Sequence, residues 1–210
     1  MQNKEKILKF KHIIFDLDGV IFDSKNNMRI SWRFVKTKFK LKISFNQYFS
    51  CIGAPFEEIL RKLSITNNVK NIKKFYNLIS SQNINKIKTY KNVKHIFSEL
   101  EKKKITKSVV TSKNYNRSRK FIKNFKLKID SLHCPNSKKP GKPNPFLLEE
   151  AIKISSVKKK FVCYVGDTEI DFIAANRAGI KFIFANYGYG IKKKKYKYII
   201  NSISDLKKFI

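Results

Sequence analysis

A short apolar run, His12-Ile13-Ile14-Phe15, ends in two carboxylates one residue apart, Asp16 and Asp18, with Gly19 and Val20 directly after. Bounded by charge, such a run predicts a buried strand of a parallel sheet rather than a helix. Open α/β sheets present their ligands at the carboxyl ends of the strands, so both acids stand where chemistry is done. Asp18 falls at the start of the loop, where Gly19 permits a turn that can aim its carboxylate back beside Asp16. Two crowded carboxylates repel unless a shared proton or a cation relieves them. Mg²⁺, a hard cation that takes oxygen ligands, would do so. A strand end with two solvated acids is the plain alternative, and the rest of the chain decides between them.

After Asp23-Ser24 the pattern changes. Met28, Trp32, Val35 and Phe39 share one helical face, as do Phe56, Ile59, Leu60 and Leu63, and then Val69, Ile72, Tyr76 and Ile79. No strand-like alternation interrupts them, so residues 25–87 read as a helical insertion of about four helices with its own core. Gly53 and Pro55 fix a turn between two of these helices. A strand and helix alternation then resumes. Val93 to Leu100 line a helix, Ser108-Val109-Val110 is a strand ending at Thr111-Ser112-Lys113, and a helix around Phe121 precedes an extended piece near Leu132. Residues 137–145 form a proline-rich loop, and Asn144 is placed to cap the helix after it. Phe161 to Val165 predicts a buried strand that stops at Gly166-Asp167; Lys181 to Ala185 predicts another, before the glycine-rich Tyr187-Gly188-Tyr189-Gly190. Ser204 is expected to cap a short terminal helix. The predicted fold is α/β, a Rossmann-like, mostly parallel sheet built from residues 1–24 and 88–210, with the small α-helical segment 25–87 inserted as a cap.

With 210 residues the chain can bury such a core. No stretch approaches the ~20 apolar residues of a membrane span, and the opening ten residues lack the apolar block of a secretory signal. Cys51, Cys134 and Cys163 are odd in number with no close pair, which suggests neither a disulfide framework nor a zinc site. A reduced, cytoplasmic protein is the simplest expectation, with no membrane partner. The formal charge of +32 raises the question of nucleic acid. However, 41 of the 47 basic residues are lysines spread through almost every segment, and arginine, whose planar fork suits base and phosphate recognition, is scarce. Such dispersal, beside a surplus of Asn, Ile and Phe, fits a compositional bias; no specific nucleic-acid partner is expected. Lys192 to Lys195 reads as a solvated surface turn.

Further polar groups fall at strand ends or loops on the same sheet edge as Asp16: Thr111 and Ser112, Lys142 in the proline-rich loop, and Asp167 with Asp171. Singly, each has a dull alternative such as a helix cap or a first-turn acid. Together they supply a nucleophile, an acid/base, a hydroxyl donor, a fixed cation and extra metal ligands, the inventory for moving a phosphoryl group.

In order, Phe15-Asp16-Leu17-Asp18-Gly19-Val20, Val110-Thr111-Ser112-Lys113, Gly141-Lys142-Pro143-Asn144-Pro145 and Val165 to Asp171 resemble the four motifs of the haloacid dehalogenase-like hydrolase superfamily. The insertion after the first motif resembles the helical cap of its phosphoglycolate phosphatase-like branch. The resemblance implies a Mg²⁺-dependent phosphatase acting on a small phosphorylated metabolite through an aspartyl-phosphate on Asp16. Asp18 would be the acid/base and would also offer its main-chain carbonyl to the metal, with Asp16 and Asp167 as carboxylate ligands. Asp171 would be an outer or water-mediated metal partner, and Glu169 is set aside by its helical phase. Thr111 would hold phosphoryl oxygens and Lys142 would neutralise charge on Asp16, with Ser112, Gly53 and Phe56 contacting substrate. An acid at position 18 is generally missing from the dehalogenase and phosphonate-cleaving members. A sugar phosphomutase like β-phosphoglucomutase is the nearer alternative, but Gly53-Ala54-Pro55-Phe56 lacks the arginine usual in that cap loop. A non-catalytic binding protein, possibly associated with nucleic acid, would be expected to have lost a motif group, and none is lost. A monomer or homodimer is expected.

Overall fold

In chain order the strands are His12–Phe15 (β1), Phe22–Asp23 (β2), Lys88–Thr89 (β3), Thr106–Val110 (β4), Ser131–His133 (β5), Val162–Gly166 (β6), Lys181–Ala185 (β7) and Tyr198–Ile200 (β8). Helices are Lys25–Lys38 (α1), Phe45–Phe49 (α2), Phe56–Lys62 (α3), Val69–Gln82 (α4), Val93–Lys102 (α5), Tyr115–Asn124 (α6), Phe146–Ser155 (α7) and Glu169–Ala178 (α8). This computed structural model describes residues 9–190 and 196–210; the charged opening stretch and the Lys192–Lys195 run lie outside the described residues. Among the described residues, no helix is long and apolar enough to cross a membrane.

Six strands form one sheet in the order β5-β4-β1-β6-β7-β8, every neighbouring pair parallel. β1 sits between β4 and β6 and is buried throughout, which is why its sequence is a run and not an alternation. One apolar cluster, with Phe97, Phe121 and Leu206, covers one face; Leu147, Leu148 and Ala174 help cover the other. The chain leaves β1 toward β4 but leaves β6 toward β7, so the sheet reverses its winding between β1 and β6. That is the position where open α/β sheets bind ligands.

The chain departs at β2 and returns at β3, and these two short strands pair antiparallel. Between them α1–α4 bury a cluster of their own around Trp32, Leu60 and Ile72. Trp32 stacks on Tyr48 with ring centroids 4.3 Å apart, and its Nε1 donates to Ile43 O at 3.1 Å. The helical faces anticipated from Met28, Phe56 and Val69 are those that meet here.

Several features differ from expectation, the two-residue strands β2 and β3 among them. β8 was not anticipated: three residues at a sheet edge give too little pattern to detect. The final turn is a 3-10 helix, Ile203–Phe209, and its N-cap is Ser202 rather than Ser204. Asp205 decides this, because its Oδ2 accepts from the backbone N–H of Asn201 and Ser202 at 2.8 and 3.1 Å. Ser204 instead accepts from Asn92 Nδ2 at 2.9 Å.

A polar seam crosses the sheet. His12 Nε2 and Ser108 Oγ are 2.7 Å apart, Ser131 bonds Ser108 at 2.8 Å, His133 bonds Ser131 at 2.9 Å, and His133 Nδ1 meets Glu150 at 2.7 Å. Burial pushes the His12 pKa down to about 4, against an opposing pull from Asp130, while His133 lowers it further. Its Nδ1 is buried with no partner, so a proton there would find no acceptor. The folded value lies below the ordinary ~6.5, so the neutral form favours folding. Stability is unaffected by His12 above that value and is lost as pH falls from ~6.5 to ~4, reaching about 3 kcal/mol. Denaturation curves of wild type and His12→Gln across that window should therefore diverge by up to one proton in slope; parallel curves would refute a neutral His12.

Candidate active site

Three adjacent strands deliver the site. Asp16 follows β1, Thr111 follows β4 and Asp167 follows β6, and the strand order places these three ends side by side. Lys142 comes from the loop after β5, and Asp171 from the first turn of α8. All five are buried.

Lys142 is the hub. Its Nζ lies 3.0 Å from Asp16 Oδ1, 2.6 Å from Asp171 Oδ1 and 3.0 Å from Tyr164 OH. Burial by itself would lower the Lys142 pKa, but the carboxylates of Asp16 and Asp171 outweigh it and hold the ammonium charged. Asp171 has little left to offer a ligand. Its Oδ1 also accepts from Tyr164 OH at 2.9 Å, and its Oδ2 accepts from Thr168 N and Oγ1 at 3.0 and 2.6 Å. Its geometry is that of a group that positions Lys142 and caps α8.

Asp167 is the opposite case. Tyr189 N donates to its Oδ2 at 2.6 Å, but its Oδ1 is buried with no partner. Ligand atoms of Asp16, Asp167 and Asp171 lie within 4.8 Å of one another. Burial pushes the Asp16 pKa up to about 7, with Lys142 opposing and Asp171 and Asp18 adding to the rise. Asp167 is raised as well, first by burial and then by Asp171 and Asp16. A buried carboxylate pair with an orphaned oxygen on Asp167, and a lysine that contacts only Asp16 of the two, fits a hard, oxygen-ligated divalent cation.

Asp18 stands apart from that cluster. Ser24 Oγ donates to its Oδ1 at 2.5 Å, and its Oδ2 forms an ion pair with Lys113. Its carboxylate is held by two donors from outside the acidic group, while its charge adds to the rise of the Asp16 pKa. The turn behind it closes through Gly19 N to Phe22 O at 2.9 Å and Phe22 N to Leu17 O at 2.8 Å. Gly19 takes φ +80°, the left-handed region that favours glycine.

Above this floor is a cavity of about 510 Å³ between the sheet edge and α1–α4. Asp16, Asp18, Thr111 and Ser112 line it from below, Gly53 and Phe56 from the helical side. Ser112 Oγ donates to Gly53 O at 2.6 Å, so these two expected substrate contacts also hold each other. Phe56 packs 4.7 Å from the Tyr76 ring and thus serves the helical core while facing the cavity. Ser24, Lys113, Arg117, Tyr164 and Tyr189 were not singled out from sequence. Lys113 adjoins the Thr111-Ser112 pair, the one signal that could have found it. The absence of a basic residue in Gly53–Phe56 also does not leave the cavity without cations, because Lys73 and Arg117 reach it from α4 and α6.

The glycine-rich loop after β7 has a steric role. A Cβ on Gly188 would fall 2.3 Å from Asp167 Cβ and 2.5 Å from Gly19 O. The backbone therefore braces Asp167 directly. Gly188→Ala should cost about 1–3 kcal/mol of stability by forced displacement, read from the urea midpoint; an unshifted midpoint would mean that Asp167 is not braced.

Comparison with known proteins agrees with this geometry. The sequence profile described as haloacid dehalogenase-like hydrolase matches residues 13–185. A phosphoglycolate phosphatase of Haemophilus influenzae is 28% identical over 86% of this chain and 88% of that protein. The pyrophosphatase PpaX of Halalkalibacterium halodurans is 24% identical over 95% of this chain and 96% of that protein. A solved hydrolase from Pseudomonas syringae shares the fold with a TM-score of 0.83 at 20% identity, covering 93% of this chain and 95% of that one. The profile runs from β1 through β7 and takes in Asp16, Asp18, Thr111, Lys142, Asp167 and Asp171, and on that ground this chain belongs to the haloacid dehalogenase-like hydrolase family.

Proposed function

We propose that this hydrolase is a phosphatase that cleaves a small phosphomonoester through a phosphorylated Asp16, with residues 25–87 acting as a cap over a core of 1–24 and 88–210. The observation that carries this reading is Lys142, 3.0 Å from Asp16 on one side and 2.6 Å from Asp171 on the other, beneath a cavity that Asp16 and Asp18 line. Of the relatives named above, the phosphoglycolate phosphatase supports a phosphomonoester and the pyrophosphatase a small phosphorylated compound more broadly.

Asp16 would attack phosphorus through one carboxylate oxygen. As that O–P bond forms, the P–O bond to the leaving group breaks, and Asp18 gives its proton to the departing oxygen. Water then attacks phosphorus, passing a proton to Asp18; the Asp16–P bond breaks and inorganic phosphate leaves. Thr111, buried at the end of β4, would bond phosphoryl oxygens, and Lys142, 3.0 Å from Asp16 Oδ1, would balance its charge. Asp16 and Asp167, with the Asp18 main-chain carbonyl, would hold Mg²⁺, which when bound offsets the crowded carboxylates and the phosphoryl charge. The Lys113 and Ser24 contacts hold Asp18 against the cavity wall.

Exhaustive chelation should abolish hydrolysis and Mg²⁺ should restore it; full activity in EDTA would sink the metal assignment. Asp16→Asn should be inactive on every ester. Asp18→Asn should separate the two steps. With p-nitrophenyl phosphate the leaving group departs unaided, so a burst near one equivalent should precede slow turnover. General-base help lost from the second step is worth about 10²–10⁴-fold. Rapid quench and intact-protein mass would show phosphate trapped on Asp16, and wild-type turnover by Asp18→Asn would overturn its role.

A further inference from the structure

Each lysine lining the cavity already faces a carboxylate: Lys73 pairs with Glu57, Lys113 with Asp18 and Lys139 with Glu150. Arg117 lines the same cavity and has none among the described residues. Its Nη1 donates to Asn77 Oδ1 at 2.7 Å and its Nη2 to Ser80 Oγ at 2.5 Å, both neutral acceptors on α4. Its Nε is buried with no acceptor. The guanidinium stands 5.6 Å from the Tyr76 ring and 5.8 Å from the Phe121 ring, so aromatic faces flank it in place of anions.

Guanidinium groups remain cationic in proteins and prefer planar, bidentate oxyanions. A half-buried one, oriented by neutral oxygens and facing a cavity, is a receptor with its charge unspent. Asn77 lines the cavity beside it and adds an amide donor. The residues between, Tyr76 and Phe56, offer a substrate apolar faces. Acidic groups at the reacting end, Asp16 and Asp18, pair with Lys142 and Lys113, so neither answers Arg117.

We propose that Arg117 is the specificity-determining residue of the reaction. It receives an oxyanion on the leaving portion of the substrate, so the preferred ester carries a second negative group beyond the phosphoryl group that is cleaved. This rests on the phosphatase reading above. A carboxylate and a phosphate share the required chemistry.

The test compares 2-phosphoglycolate with 2-hydroxyethyl phosphate, which replaces the carboxylate by a neutral alcohol, and pyrophosphate with methyl phosphate. Wild type should favour one charged member, and which pair shows the preference names the oxyanion. Arg117→Gln should reduce that kcat/KM ratio roughly 10- to 100-fold, the scale of one lost charge-assisted contact. Arg117→Lys should recover part of it, since the charge returns without the planar fork.

Equal losses on charged and neutral esters in Arg117→Gln would overturn the proposal, because a merely structural tether or a contact to the transferred phosphoryl group acts on both alike. So would a wild type with no preference in either pair. Binding separates the two readings. Calorimetry with phosphonoacetate, methylenediphosphonate and methylphosphonate should show tighter binding of one of the first two, and that advantage should vanish in Arg117→Gln. If no ester is hydrolysed but this pattern holds, the phosphatase reading fails and the Arg117 site stands; if binding ignores Arg117, the proposal fails whatever the turnover.

Discussion

Three buried carboxylates and one buried lysine meet where the sheet reverses its winding, and the count does not balance. Asp16, Asp167 and Asp171 approach within 4.8 Å, and Lys142 answers only two of them. In a medium that solvates ions poorly, leftover negative charge is expensive unless a proton or a cation takes it up. The upward push on Asp16 and Asp167 expresses this tension. Much of the nearby architecture keeps it from relaxing. Tyr164 and Thr168 saturate Asp171, Tyr189 N fixes one oxygen of Asp167, and close backbone at Gly188 leaves Asp167 nowhere to turn.

The helical segment meets this floor across a cavity, through polar contacts and through the packing of Ile170 and Tyr189 against its cluster. Its interior is independent, with Trp32, Tyr48 and Tyr76 packed together and the two tyrosine hydroxyls bonded at 3.0 Å. Its attachments include a ribbon of two residues per strand, the Ser112 to Gly53 bond, Arg117 to α4, and the Phe49 ring against Tyr189. A body with its own core and narrow connections can move as a unit at little cost, which suits a lid that must admit a substrate and exclude water. The proposed cap role follows from that division of packing.

Excess positive charge is a property of the whole chain, but its effect at the site depends on pairing. Lysines around the cavity are neutralised by carboxylates from α3, α7 and the β1 turn, so a net charge of +32 says little about the field a ligand meets. Local imbalance matters more there than the total.

Much of this was legible in the sequence. Apolar runs at 12–15 and 161–165 marked buried parallel strands, the second observed at Val162–Gly166, and helical spacing of Met28, Trp32 and Val35 marked the insertion. The acids and lysine at strand ends announced the site, because strand direction alone puts such residues on one edge. Weak local pattern hid the three-residue β8, and Asp205 overrode the cap expected at Ser204. What only the tertiary structure decided was partnership. Sequence could propose Asp171 as an outer or water-mediated metal partner; the fold adds that four donors from Lys142, Tyr164 and Thr168 sit on its carboxylate. Lys113 meets Asp18 across 95 residues of chain, and Arg117 reaches Asn77 across 40. Periodicity and turn chemistry act over a few residues and so determine elements and their ends. Ion pairing depends on the register of strands and the packing of helices brought together from distant segments, and that register exists only in the folded chain.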